Sequence, residues 1–171
     1  MAINNPNIPD YKPFYIQKGG SCFDTREQWG FLTKSNPFPA MPSPKTPYSN
    51  NWKDAHGDDD FVEEVFYESF TFDVQFYIRT NGANAADEIR QKMAQFFSFI
   101  KDGYLEVYDS YTALGRRKVR YDGYKEDTFK SRGKGSDAWA ICIFSVTFKV
   151  NDPVTFMKYD TDTQRITDEQ V

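Results

Sequence analysis

From residue 65 to residue 80 the chain alternates. Phe66, Phe70, Phe72, Val74, Phe76 and Ile78 share one parity, while Tyr67, Ser69, Thr71, Asp73, Gln75, Tyr77 and Arg79 share the other, and only Glu68 interrupts the apolar side. A period of two over more than a dozen residues describes a strand with one buried face; the same set wound into a helix would scatter around its circumference. At roughly 3.3 Å per residue the stretch would extend about 50 Å, whereas one domain of this length is only about 40 Å across. Part of this strand must therefore bend or project beyond the core. A second alternation sets Ala140, Cys142, Phe144, Val146, Phe148 and Val150 against Ile141, Ile143, Ser145, Thr147 and Lys149, and Asp152-Pro153 ends it.

Composition agrees with a core built from strands. The chain has sixteen Phe and eleven Tyr but three Leu, and leucine is the usual filler of helix seams, while aromatic and β-branched residues suit a pleated, half-buried surface. One helix is nevertheless expected. Asn81, Gly82 and Asn84 offer a turn and an N-cap, Asp87 and Glu88 favour the dipole of a first turn, Ile89, Met93, Phe96 or Phe97, and Ile100 recur at steps of three or four, and Gly103 closes the pattern. Leu105 and Val107 alternate in a short strand, and Val119, Tyr121 and Gly123 in a basic one. Residues 11–31 have room for one or two short strands. This order predicts an α+β fold, mainly β, with a mostly antiparallel sheet or barrel and one covering helix. The expected core comprises Phe70, Phe72, Val74, Phe76, Ile78, Ile89, Met93, Ile100, Phe144, Val146 and Phe148.

A single domain is expected over 11–158, with an N-terminal arm at 1–10 and a mobile polar tail at 159–171. Residues 34–51 contain Pro37, Pro39, Pro42, Pro44 and Pro47, which fix φ and remove donors, so a long loop is expected where neither helix nor central strand can form. Loops of this length are usually functional or disordered, and Phe38, Met41, Tyr48 and Trp52 favour one that packs on something.

Several chemistries find little support. No apolar run reaches the length of a membrane span, and the opening MAINNPNIPDYKP lacks the charged and apolar regions of a secretory signal, so neither membrane nor export is expected. Cys22 and Cys142 read as free thiols, and a single histidine, His56, removes most His-based catalysis. The run from His56 through Asp58, Asp59 and Asp60 offers weak metal candidates in His56, Asp58 and Asp60. The alternating ligands and twelfth-position Glu of a calcium loop are missing, however: that position holds Ser69. Gly133-Lys134-Gly135-Ser136 has the end of a phosphate loop, but Thr128 stands where its first glycine would be, so it reads as a hairpin tip. No enzyme and no cofactor is expected. Trp29, Trp52 and Trp139 leave a carbohydrate-binding module open as an alternative, with the tryptophans stacking on sugar rings or else filling core and interface.

Charge is segregated. Residues 115–134 hold eight basic and three acidic residues, and residues 53–73 hold eight acidic and one basic, although the net charge is only -4. Such runs either keep a surface solvated or meet across a repeated head-to-tail or ring contact, where they set register. The contact reading selects Trp52, Asp58, Asp59, Asp60, Arg116, Arg117, Lys118 and Arg120. Arg116 and Arg117 beside Tyr111 and Tyr121 could also meet a nucleic acid, against which stand a pI of 5.1 and the lack of an RNA-binding signature.

The order of parts from 52 to 156 resembles the tail-tube-like structural proteins of long-tailed bacteriophages, especially the first domain of distal tail proteins. A loop ending in Trp52 and the acidic run leads into YESFTFDVQFYIR, then the helix ADEIRQKMAQFFSFI, the strand YLEVYDSY, the basic strand GRRKVRYDGY and the closing strand AICIFSVTFKV. The resemblance implies a β-sandwich or barrel with a flanking helix, assembled as a ring homo-oligomer, a hexamer, that forms part of the tail channel. It further implies neighbouring tail or baseplate proteins as partners, DNA only as passing cargo, and a virion tail put together in the bacterial host cytoplasm. Distal tail proteins often carry a second, galectin-like domain; its absence here would argue against a sugar-binding role.

Overall fold

The computed structural model describes residues 11–35, 40–51, 53, 56–61 and 63–169. The expected arm at 1–10, and Phe38 and Trp52, lie outside the described residues. In chain order the elements are β1 (Phe14–Lys18), β2 (Ser21–Asp24), α1 (Thr25–Trp29), β3 (Leu32–Ser35), β4 (Tyr48–Asn51), β5 (Asp58–Phe61), β6 (Phe70–Asn81), α2 (Ala85–Ile100), β7 (Leu105–Asp109), β8 (Leu114–Arg132), β9 (Trp139–Val150), β10 (Met157–Asp160) and β11 (Arg165–Asp168).

Seven strands form one antiparallel sheet in the order β2-β1-β7-β8-β9-β6-β3, with β4-β5 and β10-β11 as separate hairpins. The two alternating segments pair without a slip, from Phe70 opposite Val150 to Asn81 opposite Trp139. Their buried parities therefore face the same way, and Phe72, Val74, Phe76 and Ile78 meet Phe148, Val146, Phe144 and Cys142. Helix α2 lies over β6, β8 and β9 and turns Ile89, Met93, Phe96 and Ile100 into the same core. The α+β, mainly β expectation with a flanking helix thus describes the molecule. Of the expected core, Phe70 is only partly buried and the rest are buried.

Phenylalanine dominates because a helix packed on a sheet leaves a gap that large flat side chains fill. Phe31 stands 5.2 Å from Phe96 and 5.1 Å from Phe144, ring centre to ring centre, and Phe76 stands 5.5 Å from each of the same two rings. Most of these pairs are edge-to-face or tilted, the arrangement favoured by the ring quadrupole.

The structure corrects four local expectations. A second helix, α1, forms in five residues because Asp24 caps it, its Oδ1 accepting from Arg26 N at 2.9 Å, and because Gly30 ends it at φ 77°. Too short to show a helical period, it left no signal in the pattern. Asn84 does stand at the N-cap of α2, but its side chain makes no capping bond. The basic strand is longer than expected, nineteen residues ending in the β8–β9 turn, with bulges at Tyr121/Gly123 and Glu126/Thr128. Finally, the expected mobile tail is, as far as Asp168, the β10–β11 hairpin. Ile166 and Met157 are buried, the Tyr15 and Tyr159 rings stack at 3.8 Å, and the Gln17 amide bonds both the N–H and the C=O of Ile166.

Candidate assembly surfaces

The apolar parity of residues 65–80 does not stay in the core along its whole length. β6 begins at Phe70, and Val65 and Phe66 are exposed, so the buried face expected along the apolar parity does not include Phe66: the chain projects there, as its excess length required. The projecting part pairs with the proline-rich segment. Lys45 N donates to Phe66 O at 2.7 Å and Glu68 N to Ser43 O at 2.9 Å, and β4 pairs with β5 from Tyr48 opposite Phe61 to Asn51 opposite Asp58. Of the long loop expected over 34–51, Lys34 and Ser35 belong to β3 of the main sheet, while residues 43–51 form one leg of a two-legged arm whose strands β4 and β5 join no strand of that sheet. Proline excludes a central strand but permits one whose outer edge needs no partner.

The arm carries much of the protein's exposed large apolar surface: Met41, Tyr48 (86% exposed), Phe61, Val65 and Phe66. Between its legs runs a groove of about 840 Å³ that includes Pro44, Pro47, Tyr48, Phe61, Val65 and Phe66 in its walls. Contiguous exposed apolar surface of this kind marks interaction sites on soluble domains. Sequence pattern foresaw aromatics in this loop but not that Phe61, Val65 and Phe66 would face them.

Most of the described acidic residues of the 53–73 run lie on this arm, Asp73 being in β6. Asp58, Asp59 and Asp60 form most of β5, Asp60 is exposed, and His56 is exposed beside them. Among the described residues no group of three or more His, Cys, Asp or Glu converges as a metal would require.

The basic half is dispersed by folding. Arg116, expected at a contact surface, is fully buried: its guanidinium lies 4.3 Å from the Phe156 ring, and its Nη2 donates to Ala40 O at 3.3 Å. Burial lowers its pKa. A neighbouring subunit cannot reach it without opening the protomer. Arg117 is spent inside the chain, its Nε 2.6 Å from Asp152 Oδ2 and its Nη1 3.6 Å from Asp168. Arg120 pairs with Asp122 at 2.6 Å and Lys125 with Asp127 at 3.4 Å. Lys118 remains exposed, at φ 49°. Nucleic-acid contact through Arg116 loses its cation for the same reason.

Asp152 ties the segment leading into the β10–β11 hairpin to β8, and Arg117 reaches on to Asp168 of β11. Burial alone would raise the Asp152 carboxyl, but Arg117 and the donors of Thr155 and Val154 outweigh that and hold it at about 2 against an ordinary 3.8. Because the folded value lies below the unfolded one, this stabilisation is complete above about pH 4 and is lost as pH falls towards 2. A thermal-midpoint titration should therefore show wild type losing more stability between pH 4 and pH 2 than Asp152→Asn, whose curve starts lower; parallel curves would remove the clasp.

The remaining candidates resolve as packing. Trp29 is buried among Phe23, Phe31 and Phe96 and cannot receive a sugar, and half-buried Trp139 lies 5.7 Å from the Arg79 guanidinium. Gly133 and Gly135 take positive φ in the β8–β9 turn, and a Cβ on Gly133 would stand 2.6 Å from Asp137 O, so the glycines serve the turn. Burial raises both thiols to about 11, well above a reactive range.

No protein-family model and no curated protein matches the chain. Among solved structures, the chain is similar to the Dit protein (gp 19.1) of phage SPP1, described as a paradigm of the hub adsorption apparatus in phages that infect Gram-positive hosts, with a TM-score of 0.56 and 14% sequence identity. The match covers 85% of this chain and 52% of that one, so the chain corresponds to about half the length of that protein, and what the two demonstrably share is a fold.

Proposed function

We propose that this protein is a non-enzymatic structural subunit of a bacteriophage or prophage tail, of the distal-tail type. It works by self-assembly into a ring, hexameric on the distal-tail pattern, with neighbouring tail or baseplate proteins as its other partners. DNA would meet it only as cargo passing through the channel, and the chain would be assembled into the virion tail in the bacterial host cytoplasm. The observation that carries this reading is the architecture shared with the phage hub protein over 85% of the chain. The arm, with apolar side chains held out from the core, supports a role met through protein contacts, and nothing in the positions of Trp29 or Trp139 favours the sugar-binding alternative.

Native mass spectrometry and sedimentation velocity test the reading between about 0.01 and 1 M salt, where the Debye length falls from about 30 to 3 Å. Discrete homo-oligomers, strongest at low salt, are expected. A monomer at every salt and protein concentration would overturn it.

A further inference from the structure

Folding sorts the charge of this chain in a way its sequence does not show. With Arg116 buried and Arg117, Arg120 and Lys125 each held by a carboxylate, the basic residues still exposed at the far end of β8 and in its turn are Lys130, Arg132 and Lys134, and among the described residues none of them has an ion pair. On the arm, exposed Asp60, Glu63, Glu64 and Glu68 likewise pair with no described cation. The β8–β9 tip thus carries a cluster of three unpaired cations, and the arm a cluster of four unpaired carboxylates against exposed Lys45 and Lys53.

These two features sit at opposite ends of the sheet. The arm leaves β6 where Phe70 faces Val150, and the tip closes where Asn81 faces Trp139. At about 3.4 Å per residue the ladder between them is roughly 35–40 Å long. The arm's strands join none of the main sheet's, and among the described residues no backbone hydrogen bond or ion pair joins a protomer's arm to its tip.

We propose that the groove of the arm is the docking site for the β8–β9 tip of a second copy of this chain, a head-to-tail contact. The inference rests on the self-assembly reading above and names its contact. Glu63 and Glu64 line the groove beside its apolar walls, against one basic lining residue among the described ones, Lys45. Arg132 and Lys134 are suited to such a surface, since their aliphatic stems cover apolar area while their heads reach carboxylates. Because the two halves of the contact are different surfaces, each added copy leaves a free arm and a free tip, and growth continues until a ring closes. Like-charge contacts between two arms or two tips are disfavoured, which fixes the polarity of addition.

Charge reversal tests it on the full chain. One variant carries Lys130→Glu, Arg132→Glu and Lys134→Glu; the other carries Glu63→Lys and Glu64→Lys. All five side chains are exposed, and an unchanged thermal midpoint verifies that each variant folds. At low salt each alone should associate at least about tenfold more weakly than wild type, and an equimolar mixture of the two should recover association, because every tip then finds an arm of opposite sign. Oligomers that persist in both variants, or a mixture that fails to recover, would overturn this contact while leaving self-assembly intact. A wild-type chain that is monomeric throughout would overturn both.

Discussion

Replacing Gly115 by alanine should loosen the C-terminal hairpin and lower the thermal midpoint of the whole protein. Gly115 is buried in β8 opposite Tyr108, and a Cβ placed on it would stand 2.4 Å from the carbonyl oxygen of Met157 and 2.9 Å from both its carbonyl carbon and its Cβ. Those atoms are mostly backbone and cannot rotate aside. Either β8 shifts, which disturbs its pairing with β7, or β10 is pushed away and uncovers Met157 and Ile166. Overpacking of this kind costs about 1–3 kcal/mol and occasionally more. Hydrogen exchange should report the second route as lost protection confined to the β10 and β11 amides. Gly123→Ala is the matched control, since its nearest neighbour is the Thr147 side chain at 3.6 Å, an ordinary contact, and it should change stability by no more than about 0.5 kcal/mol. Equal midpoints for the two variants would show that the sheet and hairpin are less closely fitted than the geometry requires.

Phe144→Ala should be the more damaging change. Its ring lies 5.1 Å from Phe31, 5.5 Å from Phe76, 6.0 Å from Tyr124 and 6.2 Å from Phe97, so it joins the central strand β9 to β6, to α2 and to the segment after α1. Truncation removes apolar burial and leaves a cavity that rings held by their own neighbours cannot collapse into, at about 3–5 kcal/mol. For a domain of this size each kcal/mol moves the midpoint by about 2–4 °C, so a drop of roughly 10 °C is expected in calorimetry. Phe144→Leu keeps most of the volume and should recover much of the loss. A drop of only a degree or two for the alanine variant would mean that the aromatic cluster repacks freely.

Much of the core was legible because its signal is local. The alternation of Phe72 to Ile78 and of Cys142 to Phe148 reports a pleat, and the three-and-four spacing of Ile89, Met93, Phe96 and Ile100 reports a turn of helix; each residue's face follows from its neighbours in sequence. The excess length of the first alternation also announced that part of it would leave the core. Which part left was not legible, because Phe66 and Phe76 look alike until β9 is seen to stop at Val150.

The candidate surfaces were legible only as composition. Arg116 and Arg117 are adjacent and chemically alike, yet one is buried beneath Phe156 and the other is held by Asp152, while Lys130, Arg132 and Lys134 of the same basic run remain exposed with no ion pair among the described residues. Likewise, the polar composition of residues 159–171 suggested a mobile tail, but as far as Asp168 a hairpin forms, which needs little apolar content when Gln17, far away in the chain, supplies both hydrogen bonds to Ile166.

The sequence by itself determined the strand and helix periods, the parity of the core and the separation of charge along the chain, because periodicity and net charge are properties of neighbours. Only the tertiary structure decided which charges are neutralised within the protomer, that the proline-rich segment and the first residues of the long alternation form one arm, and that the chain's last strands pack down. Those outcomes depend on partners such as Arg117 and Asp152, Gly115 and Met157, or Gln17 and Ile166, whose meeting is set by the order of strands in the sheet and leaves no mark on the residues around them.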